Sequence, residues 1–219
     1  MTKDNILPAT DPESYPQVIE QAQQALDQGE VIVLPTDTVY GIGADAFNPD
    51  AVAKLLSAKG RGRHMPPPVL VGSQEVLDAL AIEVSPEARA LAQAFWPGGL
   101  TLILQAQPSL AWDLGETQGT VALRMPDHPF TLQLLGKTGP LAVSSANRTG
   151  YPAATSAAMA QEQLGDSVSL YLDCGPSAGS TASTIVDGTG SELFVVRPGV
   201  ISTEELNQVA PVKGPATAG

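Results

Sequence analysis

Cysteine and histidine are nearly missing from this chain. Cys174 is the only cysteine among 219 residues, so an intramolecular disulfide and a thiolate zinc site are both excluded. A reducing compartment suits such a chain. Histidine occurs only at positions 64 and 128, which excludes a multi-histidine metal site and leaves few candidates for serine–histidine chemistry. Long apolar runs are absent too. Stretches such as Leu100–Leu104 are strand-sized, far short of the roughly 18 residues of a membrane helix. The opening residues MTKDNILPATDPESYP hold no apolar signal-peptide core. A cytoplasmic protein that makes no use of a membrane is expected. Basic residues are also few, 11 Lys+Arg against 23 Asp+Glu, for a net charge of −12. A surface of that sign does not coat nucleic acid or an anionic bilayer. Broad nucleic-acid binding is not expected, and any anion chemistry must come from a local basic cluster.

Glycine and proline are plentiful, 21 and 19 residues. They are spread as turn punctuation and not gathered in a linker, which favours many short elements. Apolar residues at helical spacing predict helices over Ser14–Gln28, Asp50–Ala58, Gln74–Ala81, Pro86–Trp96, Pro129–Leu135, Ser156–Leu164 and Thr203–Val209. Short β-branched or apolar runs predict strands at Val31–Leu34, Pro68–Val71, Leu100–Gln105, Thr120–Met125, Leu141–Ser144, Ser169–Leu172, Thr184–Asp187 and Leu193–Arg197. Gly41–Ala46 reads as a turn or short strand. Strands and helices alternate early, and the late strands adjoin as hairpins. The expected fold is one α/β domain, residues 14–209, with a twisted mixed sheet flanked by helices. Residues 1–13 and 210–219 are expected to be terminal extensions.

Three motifs fail on context. Gly41-Ile-Gly43-Ala-Asp-Ala46 has dinucleotide-loop glycines, but Arg61 and Arg63 stand where the ribose acid belongs. Gly136-Lys137-Thr138 resembles the tail of a P-loop, but Thr131 replaces its leading glycine. Gly175-Pro-Ser177-Ala-Gly179 matches a nucleophile elbow, yet a strand follows it and no histidine lies beyond His128.

A different constellation survives. Lys54, Lys59, Arg61 and Arg63 are four basic residues with no acid among them, whereas the first 30 residues hold six acids. Cations at a helix end complement its dipole, which accounts for Lys59. Two arginines in a glycine-flanked loop fit polyphosphate, whose oxygens the guanidinium fork takes in pairs. The same glycines mark Gly60–Pro68 as the segment to close over a ligand. Pro35-Thr36-Asp37-Thr38-Val39-Tyr40 and Ser144-Ser145-Ala-Asn147 each follow an apolar strand, where α/β sheets bind ligands. Either could equally be an ordinary polar turn. Gly179–Thr184 is a glycine and hydroxyl loop able to hold anions, or a plain hairpin loop. Arg124 and Arg197 close apolar strands and point charge at the rim of the sheet. Cations and hydroxyls without a side-chain nucleophile suit nucleotidyl or acyl transfer between substrates that bring their own nucleophile.

ProThrAspThrValTyrGlyIleGly, AlaLysGlyArg, SerSerAlaAsn with ThrGly following, SerThrIleValAsp and ArgProGly occur in that order from about Val31 to Gly199. Together they resemble the YrdC/Sua5 family, the L-threonylcarbamoyladenylate synthases, in its short single-domain form. The resemblance implies a YrdC/RibB-like fold. It also implies an activity: N-carboxythreonine, made from L-threonine and bicarbonate, attacks the α-phosphorus of ATP. Threonylcarbamoyl-AMP and pyrophosphate result. A separate threonylcarbamoyl transferase complex then modifies adenosine 37 of tRNA. Mg²⁺ is expected with ATP, held by phosphates and not by dedicated protein ligands, and no redox or organic cofactor is expected.

The resemblance also assigns residues. Lys59 and Arg61 are implied as the catalytic cations on the ATP phosphates, with Arg63 assisting. Ser145, Asn147 and Arg197 are implied to hold the nucleotide. Thr38, with Thr36 and Tyr40 beside it, Arg124 and Ser183 are implied to hold threonine, Arg124 through the carboxylate. The sequence departs from the family pattern at three places. Met65 stands at the usual asparagine, Leu70 at the usual histidine, and Ala153 at a frequent serine. The alternative reading is an RNA-binding YrdC-like module without this activity, which the −12 charge disfavours.

Overall fold

In the computed structural model, which describes residues 5–214, two helices begin where a short polar side chain caps the turn ahead of proline. Asn48 Oδ1 accepts from the backbone N–H groups of Asp50 and Ala51, both at 3.1 Å, ahead of Pro49. Ser85 Oγ accepts from Ala88 N at 3.1 Å ahead of Pro86. Such caps satisfy N–H groups that have no partner inside the helix, and proline at the first turn has none to satisfy. The helices are α1 (Tyr15–Asp27), α2 (Pro49–Ala58), α3 (Leu77–Leu80), α4 (Pro86–Phe95), α5 (Pro129–Thr138), α6 (Ala157–Leu164) and α7 (Thr203–Asn207).

The strands are β1 (Ile6–Pro8), β2 (Ile32–Leu34), β3 (Gly41–Asp45), β4 (Val69–Leu70), β5 (Ala81–Ile82) and β6 (Leu100–Ala106). They continue as β7 (Thr120–Arg124), β8 (Leu141–Ser145), β9 (Leu170–Asp173), β10 (Thr184–Asp187), β11 (Leu193–Arg197) and β12 (Val212–Lys213). Among the described residues they form one mixed sheet in the order β1-β9-β2-β3-β8-β4-β7-β6-β10-β11-β12, with β5 beside β6. The late hairpin is present as antiparallel β10–β11. The mixed α/β architecture agrees with the sequence reading.

Three strands were not expected. Ile6–Pro8 pairs in parallel with Tyr171–Asp173, and Val212–Lys213 with Leu193–Phe194. Segments read as terminal extensions therefore close both ends of the sheet. The sequence reads as frayed over residues 212–219; Val212–Lys213 is instead this paired strand, and residues 215–219 lie outside the described residues. The helix expected over Gln74–Ala81 is a 3₁₀ turn, Gln74–Val76, followed by the four residues of α3. Ala81 is already extended and pairs with Ala106.

Alternation of side chains across the sheet decides where the site lies. On one face Val33, Ile42, Ala44, Val69, Leu102, Leu104, Val121 and Leu123 pack into a core with residues of α2, α4 and α6. On the opposite face Ile32, Leu34, Leu141, Val143 and Leu172 pack under α1 and α5, where Phe130 and Leu134 are fully buried. Burying such a side chain contributes about 1.5–3 kcal/mol. That second face continues across β7, β6 and β10. Leu70 lies opposite Arg124, Ile103 opposite Ala122, and Thr101 opposite Ile185. Over these strands the face lines a cavity.

Candidate functional site

The cavity has a volume of about 400 Å³, within the range that holds a small organic ligand. Its floor is the uncovered sheet face: Thr101, Ile103, Ala122, Arg124 and Ile185, with Leu70 and Val143 at the junction with the helix-covered half. Thr36, Thr38, Val39 and Tyr40, following β2, form one wall, and Ser144 and Ser145, ending β8, another. Pro66–Pro68 on one loop and Leu114 and Thr117 on another flank it.

Three arginines face this space, and each is seated on a hydroxyl. Arg61 donates from Nη1 to Ser144 Oγ at 2.9 Å. Arg124 donates from Nη1 to Thr38 Oγ1 at 3.0 Å, and Thr38 Oγ1 in turn meets Thr36 Oγ1 at 3.0 Å. Arg197 donates from Nη2 to Ser183 Oγ at 3.0 Å, and that hydroxyl meets Thr101 Oγ1 at 2.9 Å. Backbone oxygens complete the seats, Gly98 for Arg124 and Ser183 for Arg197. Among the described residues only Arg124 of the three has a carboxylate partner, Asp37 Oδ1 at 2.7 Å from Nη2.

The electrostatics follow. Among the described residues no Asp, Glu, His or Cys lines the cavity. Desolvation lowers the pKa of Arg61. Arg197 is lowered first by desolvation and then by the charges of Arg124 and Arg61. Burial also lowers Arg124, against the opposing pull of Asp37. For Arg61 and Arg197, whose shifts have no acid among their causes, the cationic state carries an unmet desolvation cost. A bound anion offsets that cost.

The sequence-selected residues divide into two groups. Thr36, Thr38, Tyr40, Arg61, Arg124, Ser145, Ser183 and Arg197 all line the cavity. Lys59, Asn147 and Arg63 are not among its lining residues. Lys59 is 3% exposed. Its ammonium donates to the carbonyl oxygen of Ser145 and, at 2.7 Å, to that of Asn147. Burial, reinforced by Arg61, pulls its pKa down to about 8. Asn147 Nδ2 donates to the carbonyls of Arg148 and Tyr151, both at 2.9 Å, and so closes the turn after β8. Arg63 pairs with Asp113 at 2.7 Å, with both side chains about half exposed. Its carbonyl accepts from Glu116 N at 2.8 Å, so the Gly60–Pro68 loop is tied to the loop before β7. Arg63, implied as an assisting phosphate ligand, is thus a loop contact in this structure and stands outside the cavity lining.

Tyr40 contributes mostly through what it joins. Its hydroxyl donates to Gly175 O at 2.5 Å and accepts from Cys174 N at 3.2 Å. Its backbone bonds Ala146 and Ala154. Gly41, next in sequence, must be glycine, because a Cβ there would stand 2.5 Å from Val143 Cγ1.

Sequence reasoning missed Thr101, Ser144 and Asp37. Thr101 had a signal: it is the polar residue alternating with Leu100 and Leu102 on β6, so its side chain leaves the core. Ser144 and Asp37 lay inside selected stretches, but only three-dimensional contacts single them out. The three departures fall as follows: Leu70 and Ala153 line the cavity, whereas Met65 is not among its lining residues and is 39% exposed. For metals, the lining supplies hydroxyls but no carboxylate or imidazole. Among the described residues no group of three or more His, Cys, Asp or Glu could hold an ion. No helix among them is long and apolar enough to cross a membrane.

Known proteins resemble this chain in sequence and in fold. The Sua5_yciO_yrdC family model, described as "Telomere recombination", matches residues 24–199. A Mycobacterium tuberculosis protein named "Putative threonylcarbamoyl-AMP synthase" is 52% identical over 209 residues, 95% of this chain and 96% of its own length. The threonylcarbamoyl-AMP synthase of Bacillus subtilis is 39% identical over 87% of this chain, but only 56% of that protein is covered. Among solved structures, Pyrococcus abyssi Sua5 complexed with L-threonine superposes with a TM-score of 0.91 at 33% identity, over 96% of this chain and 62% of that one. The chain thus spans about three-fifths of that longer protein. Escherichia coli YciO shares the fold, at a TM-score of 0.82 and 24% identity over 94% of this chain and all of that one. The match over residues 24–199 and the 52% identity across almost the whole chain make it a member of the Sua5/YciO/YrdC family.

Proposed function

We propose that this chain is a threonylcarbamoyl-AMP synthase, a nucleotidyltransferase that makes threonylcarbamoyl-AMP and pyrophosphate from L-threonine, bicarbonate and ATP. The observation that carries the reading is the cavity itself: three arginines on hydroxyl seats, with no Asp or Glu among the lining residues and no His or Cys to act as base or thiol nucleophile. The names of the relatives support the same activity.

In this reading the nucleophile is the carboxylate of N-carboxythreonine. It attacks the α-phosphorus of ATP, a new P–O bond forms, and the bond to the bridging oxygen breaks. Both electrons of that bond leave with pyrophosphate. Arg61 and Arg197 have no carboxylate partner among the described residues, so their charge is available to phosphate oxygens and to the leaving group. Donors already fixed before the reaction need no reorganisation as charge develops. Arg124 and Thr38 orient the amino acid, and the sheet face excludes water from the mixed anhydride. Mg²⁺ arriving with ATP would be held by the phosphates and would supply charge neutralisation there. The lining fits an ion that phosphate and water hold, since its own donors there are hydroxyls. The product then serves a threonylcarbamoyl transferase complex acting on adenosine 37 of tRNA.

The test is pyrophosphate release in the presence of ATP, threonine and bicarbonate. Release that requires threonine is expected. Release that ignores threonine, or none at all, refutes the reading.

A further inference from the structure

Among the described residues Asp37 is the one acid paired with any of the three cavity arginines. Its Oδ1 accepts from Arg124 Nη2 at 2.7 Å and from the backbone N of Asp127 at 3.0 Å. The side chains of Arg124 and Asp37 are 8% and 19% exposed. Three fixed acceptors therefore grip the guanidinium from different directions: Gly98 O on Nε, Thr38 Oγ1 on Nη1 and Asp37 Oδ1 on Nη2. A planar guanidinium held at three nitrogens has one orientation, and one N–H on each Nη remains for a ligand.

The charge distribution separates this arginine from the other two. Arg61 and Arg197 are uncompensated, which suits a polyphosphate. Arg124 is already neutralised, so its contribution to a ligand is geometry and not net charge. We infer that Asp37 is a positioning residue: together with Thr38 it aims Arg124 at the carboxylate of the amino-acid substrate. This inference rests on the function proposed above.

The substrate-selective consequence is measurable. With pyrophosphate release as readout, Asp37→Asn is expected to raise the KM for threonine about tenfold, the loss of one charge-assisted contact. The KM for ATP should stay within about twofold of the native value, since an interaction confined to one substrate moves only that substrate's binding. Asp37→Glu keeps the charge on a longer arm and should raise the threonine KM about threefold. In an Arg124→Gln background, Asp37→Asn should add nothing further, because a positioning residue acts only through its partner. A folded variant with an unchanged threonine KM, or one in which both KM values rise together, overturns the inference. So does full additivity with Arg124→Gln. If circular dichroism shows that Asp37→Asn does not fold, Asp37→Glu decides by the same criteria. Failure of the native chain to release pyrophosphate with threonine removes the functional reading itself, a result distinct from any of these.

Discussion

The ammonium of Lys59 is enclosed by the backbone carbonyls of Ser145 and Asn147, so the C-terminal end of α2 is fastened to the turn that leaves β8. Arg61, two residues on, reaches Ser144 on the same strand. One residue builds the wall of the cavity and the other projects into it. Removing them should have different signatures.

Lys59→Met leaves two buried carbonyls without their donor, a cost of about 1–3 kcal/mol each, partly offset because a desolvated charge is removed as well. A net loss of about 1–3 kcal/mol in urea unfolding is expected, together with lower turnover. Arg61→Ala should change stability by less than about 1 kcal/mol, because its partner Ser144 can turn to water, yet lower kcat/KM by about 100-fold or more through lost charge stabilisation. If Lys59→Met keeps full stability, the enclosure does not hold the turn in place.

Arg63 separates from this pair. Its ion pair with Asp113 joins two half-exposed side chains, and such pairs contribute about 0–1 kcal/mol. Arg63→Ala should therefore leave stability almost unchanged and move the KM for ATP by less than about threefold. A rise comparable to that of Arg61→Ala would return Arg63 to the phosphates. The measurement is a side-by-side ATP titration of the two variants.

These three residues show what the sequence disclosed and what it did not. Lys59, Arg61 and Arg63 stand at alternate positions with the same charge, and nothing in the linear order distinguishes a buried prop, a cavity lining and a surface latch. The distinction arises from the direction of the chain after α2, which only the packing against β8 and the loop before β7 determines. The central strands were legible because their apolar alternation is strong, as with Leu100, Leu102 and Leu104 on β6. Two- and three-residue strands such as β1, β5 and β12 were not. Too few residues alternate, and their pairing is set by a partner more than 20 residues away for β5 and more than 160 for β1.

The first strand offers a test of that point. Asn5, 9% exposed, donates from Nδ2 to the carbonyls of Val168 and Ser169, both at 3.0 Å. Its Oδ1 accepts from Gln161 Nε2 at 2.8 Å. Asn5→Ala strands the carbonyl of Val168 in a buried setting, so a loss of about 1–3 kcal/mol is expected by urea denaturation. Activity at temperatures well below the unfolding midpoint should be unaffected, because β1 lies at the far edge of the sheet from β6 and β10. An unchanged midpoint would mean that residues 5–8 attach only loosely to the domain.

His128 supplies a pH dependence. It precedes α5, its Nδ1 is buried, and no hydrogen-bond partner reaches that atom. Desolvation depresses its pKa below the ordinary 6.5, with Asp37 and Asp127 pulling weakly the other way. The unfolded chain therefore takes up this proton first as pH falls. Folded stability from this group is intact above about pH 6.5 and declines on acidification from there towards the lower folded-state value. Replacing the imidazole by an apolar ring, as in His128→Phe, removes the difference in proton uptake. Urea unfolding at pH 7.5 and pH 5.5 should then show a smaller acid loss in the variant than in the native chain, while carboxylates elsewhere contribute equally to both. Equal losses would mean that the buried imidazole gains a partner when protonated, and Asp37, already bonded to Arg124 and to the backbone of Asp127, would be the first place to look for it.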